Sequence, residues 1–316
     1  MDGIIWSWVL FAVGIALVIK GGDWFVDAAS WIAKALHVPT FIIGATIVSI
    51  ATTLPEIIVS VLAAIEGKTE MAVGNAVGSV TANTALILAI AMVAMEIVCT
   101  RRKHLAQIIL LIASASVLLV SSLSGRLSIP GSIVLAAIFV AFMLLNLISA
   151  REEEEEAADQ THFNRKKMRK HVLLFIIGAA AIVGGSQLMV NYGSKIAYHL
   201  GVPERIIAVT LIAVGTSLPE LVTMLTAIAK KESGLSVGNI IGANVIDLSL
   251  ILPVCSLVSG ERLPVSAQSI SVDIPVCLAF TLLAMVPMMI RQKAHRLQGI
   301  LLLMGYAVYV YFVVAR

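Results

Sequence analysis

Long apolar stretches separated by short polar interruptions run the whole length of this 316-residue chain. A helix needs roughly 20 apolar residues to cross the ~30 Å hydrocarbon layer of a bilayer. The pattern predicts ten membrane-spanning helices, at 4–34, 39–65, 71–97, 105–123, 128–149, 171–199, 203–229, 234–258, 270–290 and 297–315. The predicted fold class is therefore an all-α polytopic membrane protein.

Polar side chains interrupt these stretches at two places, and the two places are copies of each other. Val38 to Asn83 contains GATIVSIATTLPE and VGNAVGSVTAN. Val202 to Asp247 contains AVTLIAVGTSLPE and VGNIIGANVID, and it aligns without a gap at an offset of 164 residues. A duplication this regular predicts one site built from two halves.

Composition and charge set the environment of the chain. With 59% hydrophobic residues, 13% charged residues and a mean hydropathy of +0.99, it is too apolar for a soluble protein of this size. Its net charge of +3 does not predict nucleic-acid binding, because the basic residues lie in short clusters between spans. The clusters in 101–104, 165–170, 230–231 and 291–296 fall on one side of the membrane if there are ten spans. The positive-inside rule then predicts a multi-pass protein of the cell membrane with both termini outside.

Each half of the chain holds an odd number of predicted spans, so the two copies must enter the membrane in opposite directions. Such inverted repeats are typical of secondary transporters. We divide the chain into a first five-helix half at 1–150, a charged cytoplasmic linker at 151–170 and a second five-helix half at 171–316. The sequence does not predict an oligomeric state.

Neither the cysteines nor the histidines form a pattern that predicts a cofactor. Three scattered cysteines without CxxC spacing support neither a disulfide framework nor a zinc site. The six histidines lie in loops or near the ends of spans, which argues against a mid-membrane haem or transition metal. There is no HExxH motif and no serine–histidine pair at membrane depth, so we do not expect an enzyme.

The duplicated segments place Glu56 and Glu220 within predicted spans. A charged side chain at the centre of a membrane helix costs about 2.5–3.5 kcal/mol on insertion scales, so each glutamate needs a partner or a cavity. Neither span supplies a lysine or arginine nearby. The same register in both copies indicates a functional role.

A proline precedes each glutamate. Within a helix, Pro55 cannot donate to the carbonyl of Ala51, and Pro219 cannot donate to that of Gly215. Backbone oxygens near Thr52 are thereby freed, and in lipid they must line a cavity or bind something. We therefore expect cation coordination at both places.

Further polar residues share a face with these glutamates. Asn75, Ser79 and Asn83 are spaced by four, as are Asn239, Ala243 and Asp247, so each trio lies along one side of a helix. Together the halves offer two glutamates, one aspartate, amides, hydroxyls and carbonyls. This all-oxygen set suits a hard cation, calcium more than magnesium, and some of the same oxygens suit sodium. Mutually exclusive occupancy by the two ions is a physical basis for exchange.

At these residues the chain resembles the sodium/calcium exchanger family of the cation/calcium antiporter superfamily, and its prokaryotic members most closely. GTSLPE with GNIIGANVID, and ATTLPE with GNAVGSVTAN, are similar to the two repeats of that family. The resemblance covers essentially the whole chain. It implies a central diamond formed by the second, third, seventh and eighth spans, across which the first and sixth slide during alternating access. Gly21–Gly22 and Gly184–Gly185 then lie where the sliding helices are expected to flex.

The resemblance also implies roles for individual residues. Glu56 and Glu220, with backbone oxygens of Thr52 and Thr216, are the expected calcium ligands, and both glutamates also contact sodium. Thr53, Ser217 and Ser79 supply sodium-binding hydroxyls, Ser49 and Ala213 supply outer carbonyls, and Asn83 and Asp247 occupy the centre. The expected partners are calcium and sodium ions and the lipid bilayer, with no cofactor and no nucleic acid.

Three positions depart from the family pattern. Ala51 replaces a glycine, Thr53 replaces a serine, and Ala243 removes an expected sodium-binding hydroxyl. The predicted function is an antiporter that exports calcium against inward sodium. A proton/calcium exchanger stays open, although neither copy carries that branch's GNxxE pattern, and Asp247 leaves a potassium-dependent exchanger open. A passive cation channel is the alternative from another class.

Overall fold

The computed structural model describes residues 2–99, 101–157, 165–201, 215–260 and 262–315, and it is built from helices. We number them in chain order: α1 Asp2–Ala35, α2 Thr40–Thr52, α3 Leu54–Ile65, α4 Thr69–Ala94, α5 Arg101–Ser122, α6 Ile129–Ala157, α7 Arg165–His199, α8 Leu218–Ala229, α9 Ser233–Val258, α10 Ser269–Arg291 and α11 Arg296–Ala315. Several of them contain a π-helical turn, including Gly44–Val48, Asn83–Leu88, Asp247–Ile251 and Ser269–Asp273.

Eight of these helices are long and apolar enough to cross a membrane. The pair α2 and α3 makes a ninth span if the two are counted as one, since they meet at a bend of 47°. The remaining predicted span, 203–229, which is the seventh along the chain, is described only from residue 215 onward, where it contains α8. Within its described residues the chain is thus an all-helical membrane protein.

The long helices α1 and α7 pack against each other in antiparallel directions. A methyl group built on Gly14 would come within 2.9 Å of the Gly185 carbonyl oxygen, and one on Gly21 would come within 2.9 Å of the Gly178 carbonyl oxygen. Further along, the rings of Phe25 and Phe175 stack at 4.5 Å. Both helices run without a break through these glycines. The sequence predicts flexing points at Gly21 and Gly185. In the structure these two glycines allow α1 and α7 to approach each other closely.

Two helices lie at the centre of the molecule. In the most apolar windows of α4 and α9, 78% of the residues are buried, against 22% for α1 and 28% for α7. The small residues of α9 let it approach α2 closely, because a methyl group on Gly238 would come within 2.1 Å of the Phe41 carbonyl oxygen. One on Gly242 would come within 2.5 Å of the Ala45 carbonyl oxygen. These GxxxG glycines serve close helix packing.

The loops meet in pairs. Backbone hydrogen bonds join residues 97–99 to 292–294, and others join residues 125–127 to 263–265. The first pair comprises loops that the charge pattern places in the cytoplasm, and the second pair comprises loops that it places outside. The loops that contact each other in the structure are thus the loops that the charge pattern assigns to the same side of the membrane.

Three ion pairs tie α1 to the turn between α8 and α9. The Lys230 ammonium lies 2.8 Å from an Asp27 carboxylate oxygen and 3.5 Å from one of Asp23, and Lys34 lies 3.2 Å from Glu232. Partial burial disfavours the charged form of Lys230, but the hydrogen bond and charge of Asp27, with the charge of Asp23, outweigh it. The pKa of Lys230 is therefore raised above its usual value.

The predicted linker is partly helical. Residue 157 ends α6 and residue 165 begins α7, so both helices extend into the segment 151–170. Glutamate, alanine, lysine and arginine are strong helix formers, which accounts for the extension. Residues 158–164 lie outside the described part of the chain.

Candidate functional site

Each glutamate lies in the first turn of a helix that starts in mid-span. The helix α2 ends at Thr52, and α3 begins at Leu54 with Pro55 in its first turn. Thr53, between them, has φ −81° and ψ 0°. The sequence pattern predicts Pro55 in the interior of a helix, and that prediction is wrong. Pro55 occupies a first-turn position, where its missing N–H is not needed. The break still exposes the carbonyl end of α2 toward the start of α3.

The second copy has the same local structure. Ser217 has φ −85° and ψ 8°, and α8 begins at Leu218 with Pro219 and Glu220 in its first turn. A helix N-terminus carries a partial positive charge that favours a carboxylate in its first turn. The two breaks thus present a carboxylate and free backbone groups from each half.

The hydroxyls at the two breaks cross to the opposite half. Both TLPE and SLPE match the capping-box pattern, in which the first hydroxyl bonds the backbone N–H three residues later. Neither hydroxyl does so here. Thr53 instead donates to Glu220 Oε1 at 3.1 Å, and Ser217 donates to Glu56 Oε1 at 3.3 Å. The glutamates of the two halves therefore lie in one connected polar cluster.

Ser79 and the central pair lie on the buried helices α4 and α9. Ser217 Oγ lies 3.4 Å from Ser79 Oγ, which joins α4 to the cluster. Asn83 and Asp247 each begin a π-helical turn, Asn83–Leu88 and Asp247–Ile251. Such turns widen a helix locally and are frequent at functional sites.

Four of these residues hold buried oxygen atoms that have no hydrogen-bond partner within the described part of the chain. The atoms are Glu56 Oε2, Glu220 Oε2, Asn83 Oδ1 and both carboxylate oxygens of Asp247. All four side chains are at most 1% exposed. Because an unsatisfied buried polar group costs about 1–3 kcal/mol, and more when charged, a group of such oxygens fits a bound cation better than a structural role.

Carboxylates alone do not compose the site. No three histidine, cysteine, aspartate or glutamate side chains in the described ranges lie close enough together to hold one metal ion. An ion at this cluster therefore needs hydroxyl, amide or carbonyl oxygens as well. The hydroxyls of Thr53, Ser217 and Ser79 meet that need, since each lies within hydrogen-bond distance of another member of the cluster.

The threonines at the breaks use their hydroxyls elsewhere. Thr52 donates to Asn239 Oδ1 at 3.1 Å, and Thr216 donates to Asn75 Oδ1 at 3.4 Å. Each of these threonines also has its backbone carbonyl to offer an ion. The sequence pattern places both asparagines on the polar faces of their helices but does not include them in the ion site. Their matched register in the two copies is the sequence signal that points to a shared role.

One expected ligand already accepts hydrogen bonds, and another lies outside the described residues. The Ser49 carbonyl already accepts hydrogen bonds from the Thr53 N–H at 2.9 Å and the Thr52 hydroxyl at 3.3 Å. Ala213 lies outside the described residues. Ala243 is fully buried on α9, one turn after Asn239 and one turn before Asp247. It brings no oxygen to that face.

Comparisons with known proteins identify what the chain is similar to. A family model described as sodium/calcium exchanger protein matches residues 6–148 and residues 170–315. The chain is 32% identical over 300 residues to an uncharacterised membrane protein of Methanocaldococcus jannaschii, covering 94% of this chain and 95% of that protein. It is 31% identical over 350 residues to the sodium/calcium exchanger MaX1 of Methanosarcina acetivorans, covering 96% and 97%.

The fold also matches a solved structure. The sodium-calcium exchanger NCX_Mj, soaked with 2.5 mM Na⁺ and 10 mM Sr²⁺, superimposes with a TM-score of 0.84 at 30% sequence identity. The match covers 97% of this chain and 98% of that one.

Proposed function

The chain belongs to the sodium/calcium exchanger family, and from this membership and the paired helix breaks we propose that it is a secondary antiporter exchanging calcium for sodium across the membrane. The observation that carries the proposal is the set of buried oxygens on Glu56, Glu220, Asn83 and Asp247 that have no hydrogen-bond partner among the described residues. Family membership places the chain among cation/calcium exchangers, which transport ions rather than catalyse a reaction. The ion assignments below are our proposal.

Calcium binds between the two breaks. Glu56 and Glu220 supply carboxylate oxygens, and Thr52 and Thr216 supply the carbonyl oxygens that the breaks expose. Calcium takes 6–8 oxygen ligands in a flexible geometry, which suits two carboxylates with backbone oxygens.

Sodium uses some of the same atoms. The hydroxyls of Thr53 and Ser217 bond the glutamates, and that of Ser79 lies beside Ser217. In this scheme Asn83 and Asp247 occupy the centre. Because Ala243 offers no hydroxyl, the second half has fewer sodium ligands than the first. Carbonyls of Ser49 and Ala213 complete the outer sites in this scheme; the Ser49 carbonyl, which accepts two hydrogen bonds, must give up one of them to bind an ion.

Two inverted five-helix repeats, ten spans in all, operate by alternating access. Exchanged contacts support the inversion: at an offset of 164 residues, Gly14 facing Gly185 and Gly21 facing Gly178 are the same contact with the halves swapped. The bonds Thr53–Glu220 and Ser217–Glu56 are related in the same way. Such reciprocal contacts are the mark of a twofold relation.

We place both termini outside and the linker 151–170 in the cytoplasm, with halves at 1–150 and 171–316 embedded in the lipid bilayer. The pairing of loops 97–99 with 292–294 and of 125–127 with 263–265 supports this topology, because each pair lies on one predicted side. The two stretches matched by the family model support the division into halves. In a cell, inward sodium then drives calcium export.

The test replaces each site glutamate in purified protein reconstituted into liposomes. Glu56→Gln and Glu220→Gln keep the side-chain size and remove one charge, so sodium-driven calcium flux should fall more than about tenfold, since ligand charge sets calcium affinity. Glu66→Gln is the matched control, because Glu66 is exposed and pairs with Lys68. Near-normal flux in either site variant contradicts the ion-site assignment.

The coupling ion is identified by imposing sodium, potassium and proton gradients separately on the wild-type protein. Calcium uptake driven by sodium alone is the expected result. Uptake driven by a proton gradient without sodium, or uptake that needs potassium, replaces the sodium assignment with the corresponding exchanger. Calcium flux that ignores every opposing gradient identifies a channel.

A further inference from the structure

Asn75 and Asn239 stand at the same register of the two repeats, each one helical turn before the position of Ser79 or Ala243. Their amide oxygens accept hydrogen bonds from the threonines of the opposite half. Thr52 Oγ1 lies 3.1 Å from Asn239 Oδ1, and Thr216 Oγ1 lies 3.4 Å from Asn75 Oδ1. The two bonds are one contact with the halves exchanged. Both join a helix break to a central helix.

Each bond acts on a residue whose backbone carbonyl is a proposed calcium ligand. Thr52 is the last residue of α2, so its conformation is not fixed by a following helical turn. A side-chain hydrogen bond to a buried helix limits how far this residue can rotate. Resting on the proposed function, we propose that Asn75 and Asn239 are positioning residues, which hold Thr216 and Thr52 so that their carbonyls face the ion.

The two asparagines are anchored unequally. Asn75 Nδ2 donates to Ser60 Oγ at 2.9 Å and to the Glu56 carbonyl at 3.4 Å. Asn239 Nδ2 is buried and has no hydrogen-bond partner within the described ranges. Met224 stands at the position equivalent to Ser60, and it accepts a hydrogen bond from Ser236 instead.

This inequality gives the two pairs different behaviour. Asn239 has Thr52 as its hydrogen-bond partner in the described structure, so removing the Thr52 hydroxyl leaves Asn239 without one. Removing Asn239 leaves Thr52 with only its longer contact, 3.3 Å to the Ser49 carbonyl. Asn75 keeps its bonds to α3 when Thr216 loses its hydroxyl. Coupling should therefore be nearly complete in the first pair and partial in the second.

A double-mutant cycle on the full-length purified protein tests the inference, with calcium affinity measured by isothermal titration calorimetry. Thr52→Val and Asn239→Leu keep the shape and remove one hydrogen-bonding group. Each should weaken calcium binding by about two- to tenfold, the effect of one net hydrogen bond. The double variant should bind calcium no more weakly than the single variant that has the lower calcium affinity. Thr52→Ser restores the hydroxyl and should bind as the wild type does.

The same cycle on Thr216→Val and Asn75→Leu is the second arm, and there the double variant should bind more weakly than either single one. Melting temperatures are recorded for every variant, because a purely structural contact lowers stability and leaves the affinity of the folded protein unchanged. Unchanged affinity, or simple additivity at Thr52 and Asn239, overturns the inference while the wild type still binds calcium. A wild-type protein that binds no calcium overturns the proposed function itself.

Discussion

Replacing Gly238 with alanine tests whether close backbone packing of α9 on α2 holds the site together. The added methyl group would lie 2.1 Å from the carbonyl oxygen of Phe41, 2.9 Å from its carbonyl carbon and 3.0 Å from the backbone nitrogen of Ala45. Ordinary van der Waals contact begins at 3.4 Å. Because every one of these neighbours is a backbone atom, no side-chain rotation relieves the clash. The two helices must move apart by roughly 1 Å to restore normal packing.

The expected cost follows from two opposing effects. Adding a methyl group to a tightly packed interior costs about 1–3 kcal/mol, whereas alanine is better than glycine in a helix by about 0.5–1 kcal/mol. A displacement of this size also stretches the hydrogen bond from Thr52 to the neighbouring Asn239, now 3.1 Å. Its loss costs about 0.5–1.5 kcal/mol. We therefore expect a net destabilisation of about 1–3 kcal/mol together with weaker calcium binding.

The assay compares Gly238→Ala with Gly184→Ala in thermal unfolding and calcium titration of the purified protein. A methyl group on Gly184 meets no atom of the described structure within 4 Å, so this control isolates the gain in helix propensity. The control should unfold at or above the wild-type temperature, and Gly238→Ala should unfold below it. A Gly238→Ala protein as stable as the control would refute the reasoning, since the clash would then be relieved at no cost.

Two further predictions concern contacts away from the ion site. Lys230→Ala removes the ion pair with Asp27 and should lower the unfolding free energy by no more than about 1 kcal/mol, less at high salt. Because the pKa of Lys230 is raised, the ion pair contributes its full stability at neutral pH and is lost as the pH rises through that raised pKa. The melting-temperature difference between Lys230→Ala and the wild type should therefore stay constant through the neutral range and shrink in strong alkali. Tyr309→Phe removes the donor that lies 3.0 Å from Asp273 Oδ1, and it should lower the melting temperature without changing calcium affinity; an altered affinity contradicts a purely structural role.

The sequence predicts the pairing of the two halves because its signals are local and repeated. A glutamate within an apolar span is costly wherever it lies, and in both copies a proline precedes it. The offset between the copies then relates Glu56 to Glu220 without any knowledge of the fold. In the structure each glutamate accepts a hydrogen bond from the other half.

The residue pattern by itself, apart from the family resemblance, does not predict which hydrogen bonds each side chain makes. Thr52 and Thr53 are adjacent threonines, yet one hydroxyl turns to Asn239 and the other to Glu220. The difference depends on the backbone angles at the break and on helices far away in the chain. Whether the Ser49 carbonyl accepts a backbone hydrogen bond likewise depends on where α2 ends, and a shift of that end by one turn would change it. Helix ends are the least certain part of a pattern-based prediction.

The repeat relation also fails at the surface, where charges reverse sign. Glu66 and Lys68 follow α3 and pair with each other at 2.7 Å. The equivalent positions after α8 hold Lys230 and Glu232, which pair with α1 instead. The hydrogen bonds from Thr53 to Glu220 and from Ser217 to Glu56 are thus exchanged between the halves, whereas the ion pairs are not.

This inequality bears on the proposed alternating access. The positions on α7 that correspond to Asp27 and Lys34 of α1 hold Asn191 and Tyr198, which carry no charge of the kind an ion pair needs. An arrangement in which α7 takes the place of α1 therefore has no equivalent of the contact between Asp27 and Lys230. Two states related by exchange of the halves would be equal in energy only if such contacts were exchanged too. The ion pairs accordingly favour the arrangement observed, in which α1 is held to the turn between α8 and α9, and added salt should reduce that preference.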